Sequence, residues 1–348
     1  MGAGAVDRIG RAVAVVVLVS AAGCSSTTPS GSSGPAVTVP GTASTAPGAA
    51  GAFTEASDLV YASIDGAELS MDVFAPTGAG PWPVVVSFHG RSSAGKDFVE
   101  TVALAEAAAR RGLVVFTPTW LEAEPFPATS DSFRRWDDTV SCAVAFAQQH
   151  APDFGGDPSV TVVEGFSAGA GAALLFASQP ARTGSVPGCA ADTGPGAVRG
   201  YVLGDADTWL HASNFDPSFE TESAAIAARL EALIDPGSWT AAPTTDFVLW
   251  VGVDGGGARE IGDPDDPSGW FARRDPDGTI RSDLESLDEL ADGKVGYLDA
   301  ARLLELRLSR AGFPARVDRY AGGHTMLDKL PEIVATLADV ADVADVAG

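Results

Sequence analysis

Apolar residues recur along this chain in short continuous runs separated by longer amphipathic stretches. The runs suit strands buried on both faces of a sheet and occupy 84–88, 113–117, 160–163, 198–203 and 247–251, with an alternating strand at 315–320. Helical patterns lie between them, at 98–110, 137–150, 168–178 and 298–311, and again from residue 331. Strands alternating with helices predict an α/β fold with a doubly wound, mostly parallel central sheet.

An antiparallel hairpin is expected before the first buried strand. Residues 59–63 and 68–74 alternate in polarity on either side of Asp65-Gly66, a sequence typical of a tight hairpin turn. The hairpin should lie at an edge of the sheet. In doubly wound sheets reactive groups gather at the carboxyl ends of the parallel strands, so candidate chemistry is sought there.

The N-terminal 52 positions have a different character from the rest of the chain. Arg8 and Arg11 precede an apolar run at 12–19 and then Ser20-Ala-Ala-Gly-Cys24, the layout of a secretory signal. The small residues before Cys24 resemble the lipobox of bacterial lipoproteins, although Ala21 stands where leucine is usual. This resemblance implies cleavage before Cys24, its lipidation, and anchoring at the outer face of the cytoplasmic membrane. Ordinary secretion and an uncleaved anchor are the alternatives.

These features predict three segments. Residues 1–23 form the signal peptide, and 24–52 carry the lipidated cysteine and a Ser/Thr/Pro/Gly/Ala tether that cannot bury enough apolar surface to order itself. Residues 53–348 form the folded domain. Within it, two insertions at 205–245 and 255–293 follow strand ends, and we expect them to hang over the site as lid-like loops.

Charge and residue usage exclude several classes of function. The 348 residues include 22 basic and 46 acidic ones, a net charge of −24, so the surface repels phosphate backbones and nucleic acid is not an expected partner. The four histidines are scattered and no paired-cysteine motif occurs, so no metal site is expected.

The sequence from Val160 to Gly169 carries the strongest chemical signal. A β-branched run meets Gly165-Phe-Ser-Ala-Gly169, and an Ala/Leu-rich helical pattern follows at once. This predicts a strand, a tight turn with Ser167 at its apex, and a helix, which together form a nucleophile elbow. Side chains in place of the two glycines would collide with the strand and the helix that the turn joins. The structural alternative for Ser167 is an ordinary helix N-cap.

From about residue 59 onward the chain resembles the α/β-hydrolase superfamily. Within that superfamily, Asp72-Val-Phe-Ala-Pro, Val84 to Gly90, Glu124-Pro-Phe-Pro and Gly155-Gly-Asp-Pro resemble bacterial carboxylesterases of the dienelactone-hydrolase and acyl-esterase type. The resemblance implies that Ser167 attacks the carbonyl of a small-molecule ester, and it implies no cofactor. It also directs attention to His324, in Tyr320-Ala-Gly-Gly-His-Thr-Met326, because the superfamily keeps its catalytic histidine in the loop after the last strand.

Several residues compete for the acid that would orient this histidine. The usual place is the loop after the penultimate strand, where Asp254 follows Gly252 with one residue fewer between them than is customary. Asp254 is therefore the preferred acid. Asp205 and Asp207, after the preceding strand, occupy a site that some superfamily members use, and Glu260 is a less favoured candidate.

Two backbone amides are candidates for the oxyanion hole. The elbow supplies the amide of Ala168, the residue after the nucleophile. The second donor is expected after His89-Gly90, where the amide of Arg91 is preferred and that of Ser92 is the alternative. His89 itself is interpreted as a structural residue that holds this loop.

The two remaining cysteines, Cys142 and Cys189, are a possible disulfide. An exported chain meets an environment in which disulfides persist. Cys142 lies on the helix before the nucleophile strand and Cys189 beyond the helix after it. Such helices lie on opposite faces of many sheets of this kind, so two buried free thiols are the alternative.

The favoured function is that of an exported serine carboxylesterase that uses Ser167, His324 and Asp254. A serine peptidase of the prolyl-oligopeptidase type shares the same core and is one alternative. A lipoprotein that keeps the fold as a non-catalytic binding module is the other, since the shortened loop before Asp254 weakens the case for a complete triad.

Overall fold

The structure, a computed structural model, describes residues 51–64, 66–90, 94–120, 130–179, 184–206, 236–239, 244–252, 259–260, 294–295 and 297–342. All of them lie within one compact unit of the chain, Gly41–Gly348. The predicted signal peptide, Cys24 and nearly all of the predicted tether lie outside the described residues, and their roles stay predictions.

An eight-stranded sheet forms the centre of the described domain. Its strands are β1 (Phe53–Ile64), β2 (Ala67–Pro76), β3 (Trp82–Phe88), β4 (Val114–Pro118), β5 (Gly156–Phe166), β6 (Gly200–Gly204), β7 (Asp246–Gly252) and β10 (Ala315–Tyr320). They lie side by side in the order β1-β2-β4-β3-β5-β6-β7-β10. The β1–β2 and β2–β4 pairs are antiparallel and every other pair in this sheet is parallel. The predicted edge hairpin and mostly parallel sheet are thus confirmed. A separate two-stranded ribbon joins β8 (Arg259–Glu260) to β9 (Lys294–Val295).

Helices cover both faces of the sheet. They are α1 (Val99–Arg110), α2 (Ser130–His150), α3 (Ala168–Ala177), α4 (Tyr297–Arg310) and α5 (Leu330–Val340). Side chains of α2, α3 and α4 share one buried cluster with Val84 and Val86, whereas those of α1 and α5 share a second cluster with Val85. Successive strand residues point to opposite faces, so a continuous apolar strand supplies both cores. The doubly wound architecture is confirmed.

Helix α2 begins at Ser130, seven residues before the predicted start at Asp137. The sequence pattern missed this part because its residues are too polar to show the helical spacing of apolar residues. An ion pair between Arg134 and Asp138 (2.9 Å) joins positions i and i+4 of this part and supports its helical conformation.

Among the helices in the described ranges, none is both long and apolar enough to cross a bilayer.

Cys142 and Cys189 form a disulfide, as the sequence allowed. The objection that their helices would lie on opposite faces does not apply here, because α2 and α3 pack against each other on the same face. The segment that carries Cys189 runs back along β1, where the Ser63 amide donates to the Gly188 carbonyl (2.7 Å) and the Ala190 amide to the Tyr61 carbonyl (2.8 Å). The bond therefore joins α2 to a segment held against the edge hairpin.

Candidate active site

Ser167 stands alone between β5 and α3, in a backbone conformation that few residues adopt. Its φ is 53° and its ψ is −118°, outside the usual regions for an L-residue. A Cβ atom at Gly165 would lie 2.1 Å from the Gly169 carbonyl oxygen, and one at Gly169 would lie 1.9 Å from that of Phe88. Both glycines are therefore sterically required, and the predicted sharp elbow is present.

The Ser167 hydroxyl begins a chain of two hydrogen bonds. Its Oγ lies 3.0 Å from Nε2 of His324, and Nδ1 of the same imidazole lies 2.8 Å from Oδ2 of Asp205. A carboxylate can only accept a hydrogen bond, so the ring proton belongs on Nδ1 and Nε2 is left as the acceptor for the serine hydroxyl. The arrangement is that of a nucleophile, a base and an orienting acid.

Asp205 is held rigidly at the carboxyl end of β6. It is fully buried, and its backbone amide donates to the Trp250 carbonyl (2.9 Å). Its second carboxylate oxygen, Oδ1, accepts from the Gly252 amide (2.9 Å). Neighbouring parallel strands end together, so β7 supplies these contacts to the residue that follows β6.

Of the acids considered for His324, Asp205 is the one that this geometry favours. Asp205, the alternative, occupies the place at Nδ1 of His324 for which Asp254 was preferred. Asp254 and Asp207 lie outside the described residues. The one-residue shortening after Gly252 was the sequence signal that the usual acid loop is altered here.

His324 lies in the loop after β10, as predicted. Close approach of backbone to backbone fixes where this loop runs, because a Cβ atom at Gly252 would lie 2.5 Å from the Gly323 carbonyl oxygen. The imidazole also packs on the Phe166 ring, with ring centroids 4.7 Å apart. The loop thus brings the ring to the elbow across the ends of β5, β6 and β7.

His89 is a structural residue of the loop after β3. It is almost fully buried, and burial lowers its pKa to about 4, so its imidazole is neutral at physiological pH. Its Nδ1 lies 2.7 Å from the Gly90 carbonyl oxygen, and Nε1 of Trp120 donates to the His89 carbonyl (3.1 Å). These contacts support the role that the sequence analysis gave it.

One of the two predicted oxyanion donors falls in the described part of the chain. Ala168 is the first residue of α3, so its amide has no partner within the helix and lies at the positive end of the helix dipole. Arg91 and its alternative Ser92 lie outside the described residues. Gly90, just before them, is close to the elbow, since a Cβ atom there would lie 3.3 Å from the Phe166 carbonyl oxygen.

A buried carboxyl group close to the elbow was not identified from the sequence. Glu164, three residues before Ser167, is fully buried, and burial raises its pKa to about 8. The Ser87 hydroxyl donates to its Oε2 (2.6 Å), and its Oε1 has no partner within the described part of the chain. At neutral pH this group therefore holds a proton. The sequence feature that could have revealed this group is Glu164 itself, an acidic residue among the apolar residues of β5.

Two buried tryptophans, Trp120 and Trp239, pack against other aromatic rings of the domain. Trp120 packs against Phe88 and Trp136, and Trp239 packs against Phe247 and Phe313, so these two tryptophans anchor chain segments to the body of the domain. Most of the two predicted lid-like insertions lies outside the described residues. Within the described ranges, no group of three or more His, Cys, Asp or Glu side chains could hold a metal ion.

Only the comparison with solved structures bears on the fold. No protein-family model matches the chain, and no curated protein sequence does. Among solved structures, a thermophilic esterase from the planctomycete Thermogutta terrifontis is similar with a TM-score of 0.53 at 15% identity, over 84% of this chain and 94% of that one. A truncated carbohydrate esterase from gut microbiota is similar with a TM-score of 0.53 at 14% identity, over 83% and 96%. At these identities the likeness shows the fold alone: the chain has the α/β-hydrolase fold.

Proposed function

We propose that this protein is a serine carboxylesterase whose triad is Ser167, His324 and Asp205. The observation that carries the proposal is the continuous hydrogen-bonded chain from Ser167 Oγ through both nitrogens of His324 to a buried carboxylate. The solved structures that share its fold include two esterases, which favours ester hydrolysis over the peptidase alternative.

The first half of the reaction follows from the positions of these groups. Ser167 Oγ attacks the ester carbonyl while Nε2 of His324 takes the hydroxyl proton. The Asp205 carboxylate accepts from Nδ1 and stabilises the imidazolium that forms. The amide of Ala168 donates to the oxyanion, and the amide of Arg91 is proposed as the second donor. His324 then protonates the departing alkoxide, which leaves an acyl group on Ser167.

The second half repeats these steps with water. His324 takes a proton from a water molecule, which attacks the acyl carbon, and the same amides hold the second oxyanion. The tetrahedral intermediate collapses, the carboxylic acid departs and the proton returns to Ser167. No step calls for a metal or an organic cofactor.

Hydrolysis of p-nitrophenyl esters of increasing acyl length by the purified full chain tests this proposal. Ser167→Ala should abolish turnover without unfolding the domain. Ser178→Ala is the matched control, because it removes a buried hydroxyl at the end of the same helix, away from the triad. Turnover that persists in Ser167→Ala would refute the assignment, and absence of turnover in the unaltered chain would favour the non-catalytic binding module.

We also propose that the enzyme is exported and anchored through a lipidated Cys24 at the outer face of the bacterial cytoplasmic membrane. The leader sequence and the polar tether support this location, and so does the Cys142–Cys189 disulfide, since such bonds persist in oxidising compartments. Cys24→Ser should move the protein from the membrane fraction to the soluble fraction. Unchanged membrane association of that variant would contradict the anchor.

A further inference from the structure

A buried lysine lies behind the loop that carries His324. Lys329 has only 2% of its surface exposed. Its Nζ lies 2.6 Å from the Gly323 carbonyl oxygen and 2.7 Å from that of Thr325. These carbonyls belong to the residues immediately before and after His324, so one ammonium group holds the backbone on both sides of the imidazole.

The same loop is held from a second direction by α1. The Thr325 hydroxyl donates to Oε1 of Glu100, and accepts from the Leu327 amide (3.2 Å). Glu100 is a largely buried residue of the first turn of α1. The loop is thus fastened to α1 through Thr325 and to the start of α5 through Lys329.

An aromatic stack links the lysine to the imidazole. Nζ of Lys329 lies 5.7 Å from the centre of the Trp250 ring, within the range of a cation–π contact. Trp250 stacks on Phe166 with centroids 5.5 Å apart, and Phe166 in turn packs on His324. Displacement of the ammonium would therefore disturb the support of the ring as well as its backbone.

The sequence of the His324 loop explains why these contacts from Lys329 and Glu100 are needed. Gly322 has a φ of 109°, and Gly322-Gly323 gives the segment before His324 the greatest backbone freedom of any residue pair. A catalytic imidazole must stay within about 0.5 Å of its productive position. Burying an ammonium group costs free energy unless the group is well hydrogen-bonded. The two hydrogen bonds of the Lys329 ammonium group therefore have a role beyond packing.

We infer that Lys329 is a positioning residue that fixes His324 between Ser167 and Asp205 by binding the two flanking carbonyls. This inference rests on the proposed triad, and it assigns Lys329 no contact with substrate. We call the two hydrogen bonds from Lys329 to the Gly323 and Thr325 carbonyls the clamp. Since displacement of a catalytic group by about 1 Å can cost on the order of 10²-fold in rate, loss of the clamp should lower kcat by about that factor. KM should change little, because ester binding does not involve the lysine.

The test compares Lys329→Met with Leu337→Ala in the full chain. Methionine keeps the length of the side chain without its donors or charge, and Leu337→Ala is the matched control because it opens a cavity in the core beneath α5 and leaves the clamp intact. Two quantities are measured: kcat and KM with a p-nitrophenyl ester, and the downfield proton NMR resonance of Nδ1–H of His324, assigned by its absence from His324→Gln. The resonance reports the hydrogen bond to Asp205 whether or not the protein turns over an ester.

A fall in kcat on the order of 10²-fold at nearly constant KM, with the resonance lost or broadened in Lys329→Met and retained in Leu337→Ala, supports the inference. An unchanged resonance, a kcat close to that of the unaltered chain, or equal losses in Leu337→Ala overturns it. If the unaltered chain hydrolyses no ester, the proposed function fails and the resonance alone decides the role of Lys329. If Lys329→Met does not fold, Lys329→Gln takes its place, and failure of both to fold overturns the inference by assigning the lysine to the fold.

Discussion

At the residue scale, the site depends on two backbone positions with unusual geometry. Ser167 has a φ of 53° and Asp205 a φ of 44°, each at the carboxyl end of a parallel strand. A non-glycine residue held in such a region costs about 1–3 kcal/mol and persists only where its surroundings fix it. For both residues the surroundings are neighbouring strands, because Ser167 donates its amide to Gly204 and Asp205 donates its amide to Trp250.

Asp205→Asn should therefore lower kcat by about 10⁴-fold, since an amide facing Nδ1 favours the wrong tautomer of His324. The asparagine carbonyl can still accept from the Gly252 amide, so the junction of β6 and β7 should remain intact. Ester hydrolysis at saturating substrate measures the effect, and Asp254→Asn is the matched control. A near-normal rate in Asp205→Asn together with a large loss in Asp254→Asn would return the role to the acid that the sequence favoured.

At the element scale, β5 combines the elbow with an acid in its interior. Glu164 lies opposite Ser87 on β3, on the face that carries Val162 and Phe166 and is covered by α1 and α5. Because its pKa is raised to about 8, the native protein keeps a proton that the unfolded chain releases above about pH 4.5. Between these two values the native state binds more protons than the unfolded state, so stability falls as pH rises.

The free energy of unfolding should therefore decrease by roughly 1.4 kcal/mol per pH unit through this window, to a total of roughly 5 kcal/mol. Glu164→Gln, which cannot ionise, should remove most of that slope. Urea unfolding at pH 5 and pH 8 measures it, and Glu106→Gln, at an exposed position of α1, is the control. A slope that survives in Glu164→Gln would assign the pH dependence to another group.

The elements and the elbow could be predicted because each rests on a local pattern. The apolar runs of β3, β5 and β7 and the spacing of Gly165 and Gly169 are visible without any distance. The acid could not be chosen in this way, because β6 and β7 lie side by side and an aspartate follows each of them in the sequence. Lys329 was missed for a related reason: a lysine normally keeps its ammonium group in solvent, and only the path of the His324 loop shows that this one is buried.

At the scale of the whole molecule, two cores on opposite faces of one sheet hold the site in place. The disulfide reinforces the face of α2 and α3, and it closes a loop with a sequence separation of 47 residues. A loop of that length stabilises the fold by about 4 kcal/mol through loss of freedom in the unfolded chain. The proposed triad is supported mainly from the other face, where α1 and α5 hold the His324 loop.

Reduction of the Cys142–Cys189 bond should therefore lower the free energy of unfolding by about 4 kcal/mol, while below the transition the domain stays folded and keeps the proposed esterase activity. Denaturant unfolding with and without a thiol reductant measures the difference. The double variant Cys142→Ala/Cys189→Ala should show the lower stability in both conditions. An unfolding midpoint that reductant does not change in the unaltered chain would contradict this role.

The central claim is that Ser167 is an activated nucleophile, and covalent labelling tests it most directly. A fluorophosphonate reacts when a serine oxygen displaces fluoride at phosphorus, which requires the hydroxyl proton to be taken by a base. Peptide mapping by mass spectrometry should find the adduct on Ser167, with none in Ser167→Ala and much slower labelling in His324→Gln. Failure of the unaltered chain to be labelled, or an adduct that persists in Ser167→Ala, would contradict the account.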